Sequence, residues 1–168
     1  MKYLFSLVLV ISTLSAMAQS EFSSPTIQIG VVVEDLERSK QFYTEVIGMR
    51  QTGGFEVTPE IAKATGLTDG TPLSVAVMKL EDSPSANEWK LMSFGKKGEN
   101  AQHSYIDGDT GMRYITIFYE TLNDVLERIR DNNVTTLGET PYLLPDGRHF
   151  ILVKDPDGTF IELIGGME

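Results

Sequence analysis

The same pattern occurs twice in this chain, 86 residues apart, and this repeat restricts the folds that the sequence can adopt. The first copy, 27–48, begins IQIGVVVEDL, and the second copy, 113–130, begins RYITIFYETL. In this alignment Gln28 matches Tyr114. Each copy is an alternating apolar strand that runs directly into a helix, so we expect a tandem pair of one supersecondary unit.

Alternation along the two strands assigns their faces. Ile29 and Val31 share one face, which we expect to pack on the helix, whereas Gln28 lies on the opposite face. In the second copy Ile115 and Ile117 are the helix-facing residues. The opposite face there carries Tyr114, Thr116 and Phe118.

Capping residues mark the expected helices. Asp35 is an N-cap for the first helix and Gly48 ends it, and Thr121 is an N-cap for the second. The first copy also contains an insert, 57–70, in which Thr58 precedes a proline at the first helical position. The insert therefore predicts a small additional helix.

Further strands complete each copy. In the second copy, β-rich segments at 150–154 and 159–164 flank the turn DPDG at 155–158, which is typical of a hairpin. We interpret this acidic motif as a turn and not as a catalytic site. In the first copy the corresponding strands are expected at 71–80 and 89–94, so each copy is a strand, a helix and three strands.

The N-terminus is typical of a secretory signal peptide. An apolar run from Leu4 to Leu14 is too short to span a bilayer of ~30 Å, and Ala16-x-Ala18 is the small-residue pattern at a cleavage site. We expect cleavage after Ala18 and an exported protein, periplasmic or secreted. The alternatives are a buried helix and a membrane anchor. The expected organisation is a signal peptide at 1–18, an N-terminal extension at 19–25, a first module at 26–95, a linker at 96–111 and a second module at 112–168.

Charge and cysteine content exclude several classes of function. The formal net charge of −10 disfavours a nucleic-acid partner, which requires a basic surface, and also disfavours an anionic membrane surface. The absence of cysteine excludes disulfides, a thiolate zinc site and a thiol nucleophile.

Two motifs carry a resemblance to a known family. The segment IQIGVVVEDLERSKQFYTEVIGM, followed much later by KDPDGTFIELI, resembles the vicinal oxygen chelate superfamily of glyoxalases, bleomycin-resistance proteins and dioxygenases. The resemblance extends from Ile27 to Gly165. It implies an α+β fold with two βαβββ modules in tandem, which form a curled mixed sheet around a central cleft with the helices outside. It does not imply one reaction, because a fold of this kind supports several.

The resemblance also implies four metal-ligand positions, of which this chain keeps half. Gln28 and Glu162 match two positions and are the ligands of a divalent metal if one is bound. Tyr114 stands where a His is usual and Lys90 where a Glu is usual, although a slip in register would place Glu88 there. A lysine ammonium repels a dication. We therefore predict no cofactor, and an ion pair between Lys90 and Glu162 in place of the metal, with a retained metal as the alternative.

The predicted ligand-binding cleft combines these polar groups with apolar neighbours. Its residues are Gln28, Lys90, Met92, Tyr114, Thr116, Phe118, Phe150, Leu152 and Glu162, together with Val32 and Ile164. Glu162 is the candidate catalytic residue if the protein is an enzyme. Neither histidine completes the site, because His103 falls in the linker and His149 alternates onto the face away from the cleft.

Three classes of function remain from the sequence. The first is a metal-dependent lyase, isomerase or dioxygenase, although glutathione-dependent glyoxalase I is disfavoured because its substrate is cytosolic and this chain is expected to be exported. The second, which we favour, is a metal-free module that binds a small molecule, as bleomycin-resistance proteins do in a groove shared by two subunits, so a homodimer is compatible. The third is a metal-free enzyme or a structural relic with Tyr114, Lys90 and Glu162 in the cleft.

Overall fold

The computed structural model describes residues 21–96, 98 and 103–168. The predicted signal peptide, 1–18, lies outside the described residues. Within the first copy the elements are β1 (Gln28–Val32), α1 (Leu36–Gln41), a π-helical continuation of α1 (Phe42–Ile47), β2 (Arg50–Val57), α2 (Pro59–Ala64), β3 (Leu73–Lys79) and β4 (Glu88–Ser93). A short 3-10 turn (Ile106–Gly108) follows. The second copy contains β5 (Tyr114–Thr121), α3 (Asn123–Asp131), β6 (Tyr142–Leu143), β7 (His149–Lys154) and β8 (Phe160–Gly166).

Each copy folds into its own four-stranded mixed sheet. The strand order is β1-β4-β3-β2 in the first sheet and β5-β8-β7-β6 in the second, and in both sheets the first strand runs parallel to the last. The predicted α+β class with two βαβββ modules is therefore confirmed. The two sheets remain open and are not joined to each other by strand pairing among the described residues.

The register confirms the alignment of the two copies. Gly30 on β1 pairs with Lys90 on β4, and the matching residue Thr116 on β5 pairs with Glu162 on β8. Lys90 is therefore the structural counterpart of Glu162. The alternative slip that would place Glu88 at that position does not occur, since Glu88 pairs with Gln28.

Local signals explain most helix limits. The Asp35 carboxylate accepts hydrogen bonds from the backbone of Glu37 and Arg38, and Gly48 ends the helical segment in the left-handed region at φ +89°. The predicted cap of α3 is wrong in detail. That helix begins after Leu122 without a side-chain cap, and the Thr121 hydroxyl instead accepts a hydrogen bond from the Asn123 N–H at 3.3 Å.

One hydrophobic core joins the two modules. The helix-facing residues of both sheets, including Leu91 and Ile161, pack with α1 and α3 into a single cluster. Polar contacts cross the same junction, because the Arg128 guanidinium and the Tyr119 hydroxyl both donate to the Ile47 carbonyl. Burial raises the pKa of Tyr119 to about 12. The face of each sheet that points away from α1 and α3 does not take part in this core.

The inserted helix α2 covers part of the opposite face of the first sheet. Ala62 packs there against Leu73, Val75 and Val77 of β3, and Met92 joins the same cluster. The insert therefore shields this face, whereas the second module has no counterpart. No helix in the described part of the chain has the length and apolar character needed to cross a bilayer.

Candidate functional site

The first predicted ligand position is held by a lysine. The Lys90 ammonium donates to the Gln28 side-chain oxygen at 2.5 Å, lies 4.0 Å from the Glu88 carboxylate and 5.7 Å from the Phe55 ring centroid. Glu88 also lies 3.5 Å from Lys79. We call Gln28, Glu88 and Lys90 the Lys90 group. Its cation is satisfied by neighbours on its own sheet.

The second polar group lies on the other sheet. The Thr116 hydroxyl donates to Oε2 of Glu162 at 2.6 Å, across the paired strands β5 and β8. We call Thr116 and Glu162 the Glu162 group. A carboxylate held by a hydroxyl at this distance has one oxygen oriented by the protein, while the other remains an acceptor.

The predicted ion pair between Lys90 and Glu162 is not formed. Lys90 contacts Gln28 and Glu88, and Glu162 contacts Thr116. The physical reason is proximity on the same sheet. Gln28 lies diagonally across from Lys90 on the paired strand β1, and Glu88 precedes Lys90 by two residues on β4. Thr116 lies directly opposite Glu162, where the strand spacing of ~5 Å brings side chains together. The two groups are thus separate polar elements of the faces opposite the core.

A cavity of about 710 Å³ lies on the open face of the second sheet. Its floor is formed by strand residues of β7 and β8, and its walls by the segment that leads into the 3-10 turn, including the first residue of that turn, and by the loop that leads through β6. The lining residues are Ser104, Tyr105, Ile106, Leu137, Gly138, Glu139, Thr140, Tyr142, Leu144, Phe150, Leu152, Phe160 and Glu162. We call this the second-sheet cavity. Its size and its mainly apolar lining are typical of a small-molecule site.

The structure gathers only some of the predicted cleft residues around this cavity. Phe150, Leu152 and Glu162 line it. Tyr114 and Phe118 lie on the same face of the sheet but are 44% and 65% exposed and lie outside the lining. Predicted residues of the first sheet also lie elsewhere: Gln28 and Lys90 form their own group, Met92 packs under α2, and Val32 lines a smaller cavity between the modules.

The sequence gives no clear signal for the cavity walls. Tyr105 and Ile106 belong to the stretch interpreted as a polar linker, and Leu137 and Tyr142 belong to a segment without strong periodicity. The Arg113 guanidinium donates to the Ile106 carbonyl at 3.0 Å, and the Lys154 ammonium donates to the His103 carbonyl. These two bonds attach the linker segment to the second sheet.

The DPDG motif is confirmed as a structural turn, and it meets the first helix. The Tyr43 hydroxyl donates to Oδ2 of Asp155 at 2.8 Å, and both residues are buried. Oδ1 of Asp155 accepts the backbone N–H groups of Asp157 and Thr159 at 3.0 and 2.8 Å. Burial raises the pKa of Asp155, and burial followed by the charge of Asp155 raises the pKa of Tyr43 well above its ordinary value. The two most distinctive motifs of the sequence therefore meet in one buried bond between the modules.

The histidines do not form a metal centre with carboxylates of the described residues. His149 pairs across the sheet with Gly165 and shares a face with the core residue Ile151, as the alternation predicts. His103 lies in the linker, beside Gly108. In the described ranges 21–96, 98 and 103–168, no cluster of three or more His, Cys, Asp or Glu residues is arranged to hold a metal ion.

Comparison with known proteins agrees with this architecture. The family model of the glyoxalase/bleomycin resistance protein/dioxygenase superfamily matches residues 27–163. The chain belongs to this superfamily. No curated protein matches the sequence.

Solved structures of this superfamily share the fold at low sequence identity. A glyoxalase family protein from Bacillus cereus is 18% identical with a TM-score of 0.71, and the match covers 91% of this chain and 100% of that one. The trypanothione-dependent glyoxalase I of Leishmania major is 23% identical with a TM-score of 0.61, over 85% of this chain and 87% of that one. Glyoxalase I from Zea mays is 19% identical with a TM-score of 0.62, and the match covers 85% of this chain and 45% of that one. These likenesses concern the fold.

The residues at the four expected ligand positions do not fit a divalent metal. The Gln28 oxygen that a metal would need already accepts a hydrogen bond from Lys90, whose positive charge would repel the ion. A phenol at Tyr114 stands in place of an imidazole, the ligand that suits zinc, copper, iron and nickel. Glu162 alone retains the donor chemistry of such a site.

Proposed function

We propose that this superfamily member binds a small, mainly apolar molecule in the second-sheet cavity, without a resident metal. The observation that carries the proposal is the cavity itself. Aromatic and aliphatic side chains such as Tyr142, Phe150 and Leu152 line about 710 Å³, and Glu162 is placed among them. An apolar site with few polar groups gains affinity from apolar burial and orientation from the polar groups.

The departure from a metal-ligand set supports binding over metal-dependent catalysis. Lyase, isomerase or dioxygenase chemistry in this superfamily, as the resemblance implies it, requires an ion with open coordination positions. Here the Lys90 ammonium donates a hydrogen bond to the Gln28 side-chain oxygen, and the Thr116 hydroxyl donates one to an oxygen of Glu162. Elemental analysis that finds about one tightly held metal per chain, together with turnover that is lost on removal of the metal, would favour the enzyme instead.

Export is a second part of the proposal. The apolar run from Leu4 to Leu14 and the small residues Ala16 and Ala18 support a cleaved signal peptide and a periplasmic or secreted protein. Intact mass of protein recovered from an exporting host is expected to correspond to a chain that starts at Gln19. A mature species that retains the first eighteen residues would contradict export.

Thermal shift with a panel of small apolar compounds tests the binding proposal. A ligand present at 100 times its dissociation constant adds about 2.7 kcal/mol to the free energy of unfolding, which raises the melting temperature measurably. Leu152→Trp fills the cavity and is expected to abolish the shift. Leu80→Trp is the matched control, because Leu80 is exposed in a loop away from the cavity. Compounds that shift wild type and Leu152→Trp equally, or a panel with no active compound, would contradict the proposal.

A further inference from the structure

The charged residues that line the second-sheet cavity are all acidic. Glu139 and Glu162 contribute carboxylates, and no lysine or arginine belongs to its described lining. Two cations on or beside β7 have other partners. Lys154 donates to the His103 carbonyl and lies 4.6 Å from the Phe160 ring centroid, and Arg148 contacts Asp146 at 2.6 Å.

Glu162 lines this cavity and has an unused acceptor. Oε2 accepts the Thr116 hydroxyl, and no hydrogen bond or ion pair to Oε1 is found within the described part of the chain. Phe150, Leu152 and Phe160 line the floor of the cavity together with Glu162. A hydrogen bond between a carboxylate and a cationic donor is stronger than one with a neutral donor, so a ligand that supplies a positive charge is favoured over a neutral one of equal size.

We infer that the ligand is an apolar molecule with a protonated amine, which donates to Oε1 of Glu162 while its apolar body packs on Phe150 and Leu152. This inference rests on the proposed binding function and specifies its ligand class. Thr116 is a positioning residue, since its hydroxyl fixes one carboxylate oxygen and leaves the other for the amine. Glu139, exposed at the rim, adds a weaker attraction of the same sign.

Three probes that differ only in their polar end test the inference. Phenylbutylamine, phenylbutanol and phenylbutyrate are titrated into the purified protein by calorimetry at neutral pH and low salt. The amine is expected to bind about tenfold or more tightly than the alcohol, because a hydrogen bond to a charged group exceeds a neutral one by that order. The acid is expected to bind most weakly.

Variants connect this preference to one carboxylate. Glu162→Gln keeps the shape of the side chain and is expected to bring the amine and the alcohol within about twofold of each other. Glu127→Gln makes the same change in net charge on the exposed surface of α3 and is expected to keep the tenfold preference. Thr116→Val is expected to reduce the preference for the amine, and Thr116→Ser, which retains the hydroxyl, to restore it.

The outcomes separate this inference from the proposal beneath it. If the amine and the alcohol bind wild type equally, or if Glu162→Gln keeps the preference, the inference is overturned while apolar binding stands. If none of the three probes binds, both fail. Melting curves of each variant show whether a loss of binding reflects a loss of folding.

Discussion

The substitution Tyr43→Phe tests the buried bond that joins the two modules. It removes the hydroxyl that donates to Oδ2 of Asp155 at 2.8 Å and leaves the ring packing intact. Oδ1 keeps its two backbone donors, so the carboxylate loses one of three hydrogen bonds. Loss of a buried hydrogen bond to a charged group costs about 2 kcal/mol. For a chain of this length, that corresponds to a fall of about 4–8 °C in melting temperature.

The deficit of Tyr43→Phe is expected to depend on pH. Burial raises the pKa of Asp155 above its ordinary value of 3.8, and the Tyr43 hydroxyl opposes this rise by donating to the ionised form. Because the folded-state pKa is the higher one, the contribution of this carboxyl to stability is fully present below pH 3.8 and is lost as the pH rises through the folded-state pKa. Removal of the donor raises that pKa further. The deficit therefore increases from acidic to neutral pH.

Urea unfolding, followed by the fluorescence of Trp89, measures this effect. Trp89 is the single tryptophan of the chain, and its ring centroid lies 5.9 Å from that of Tyr43. The control is Tyr119→Phe, which removes a neutral bond to the Ile47 carbonyl at 2.7 Å and is expected to cost about 1 kcal/mol at both pH values. The reasoning is refuted if Tyr43→Phe costs under about 0.5 kcal/mol at neutral pH, or if its deficit is the same near pH 4.

Two further predictions concern the metal positions and the close packing of the strands. The double change Lys90→Glu with Tyr114→His rebuilds the donor set of the superfamily and is expected to create zinc binding visible by calorimetry; a double variant that binds no more zinc than wild type contradicts this account of the site. Gly165→Ala places a methyl group 2.5 Å from the backbone oxygen of Tyr119 and is expected to lower the free energy of unfolding by over about 2 kcal/mol. Gly30→Ala meets only the flexible end of a methionine at 2.8 Å and is expected to lower it by under about 1 kcal/mol. Denaturant titration measures both. If the two substitutions lower the free energy of unfolding equally, crowding against the backbone does not explain the loss at Gly165.

The fold was predictable because the repeat contains both local signals for strands and helices and a fixed offset between the two copies. Strand alternation, the Asp35 cap and the Gly48 stop are local signals, and the 86-residue offset relates the copies so that Lys90 and Glu162 fall in equivalent register. The π-helical continuation of α1 was not predicted. It depends on how the segment packs at the junction of the modules, where the Arg128 side chain reaches the Val46 carbonyl.

The candidate site was predictable only on the strands. Alternation correctly placed Phe150, Leu152 and Glu162 on the open face of the second sheet. Alternation did not identify the partners of Lys90. The curvature of the sheets decides whether its ammonium contacts a neighbour on its own sheet or a residue of the other module. Nor did alternation find the wall formed by Tyr105 and Ile106, since the course of a connecting segment over a surface leaves no periodic signal.

A crystal structure of the protein with phenylbutylamine tests the central claim most directly. The account predicts density for one molecule in the second-sheet cavity, with its amine within hydrogen-bond distance of Glu162 and its ring against Phe150 and Leu152. Lys90 is expected to keep its bond to Gln28. Density at Gln28 and Tyr114 instead, with a metal ion bound there and also coordinated by Glu162, would contradict the account and establish a metal site in this protein.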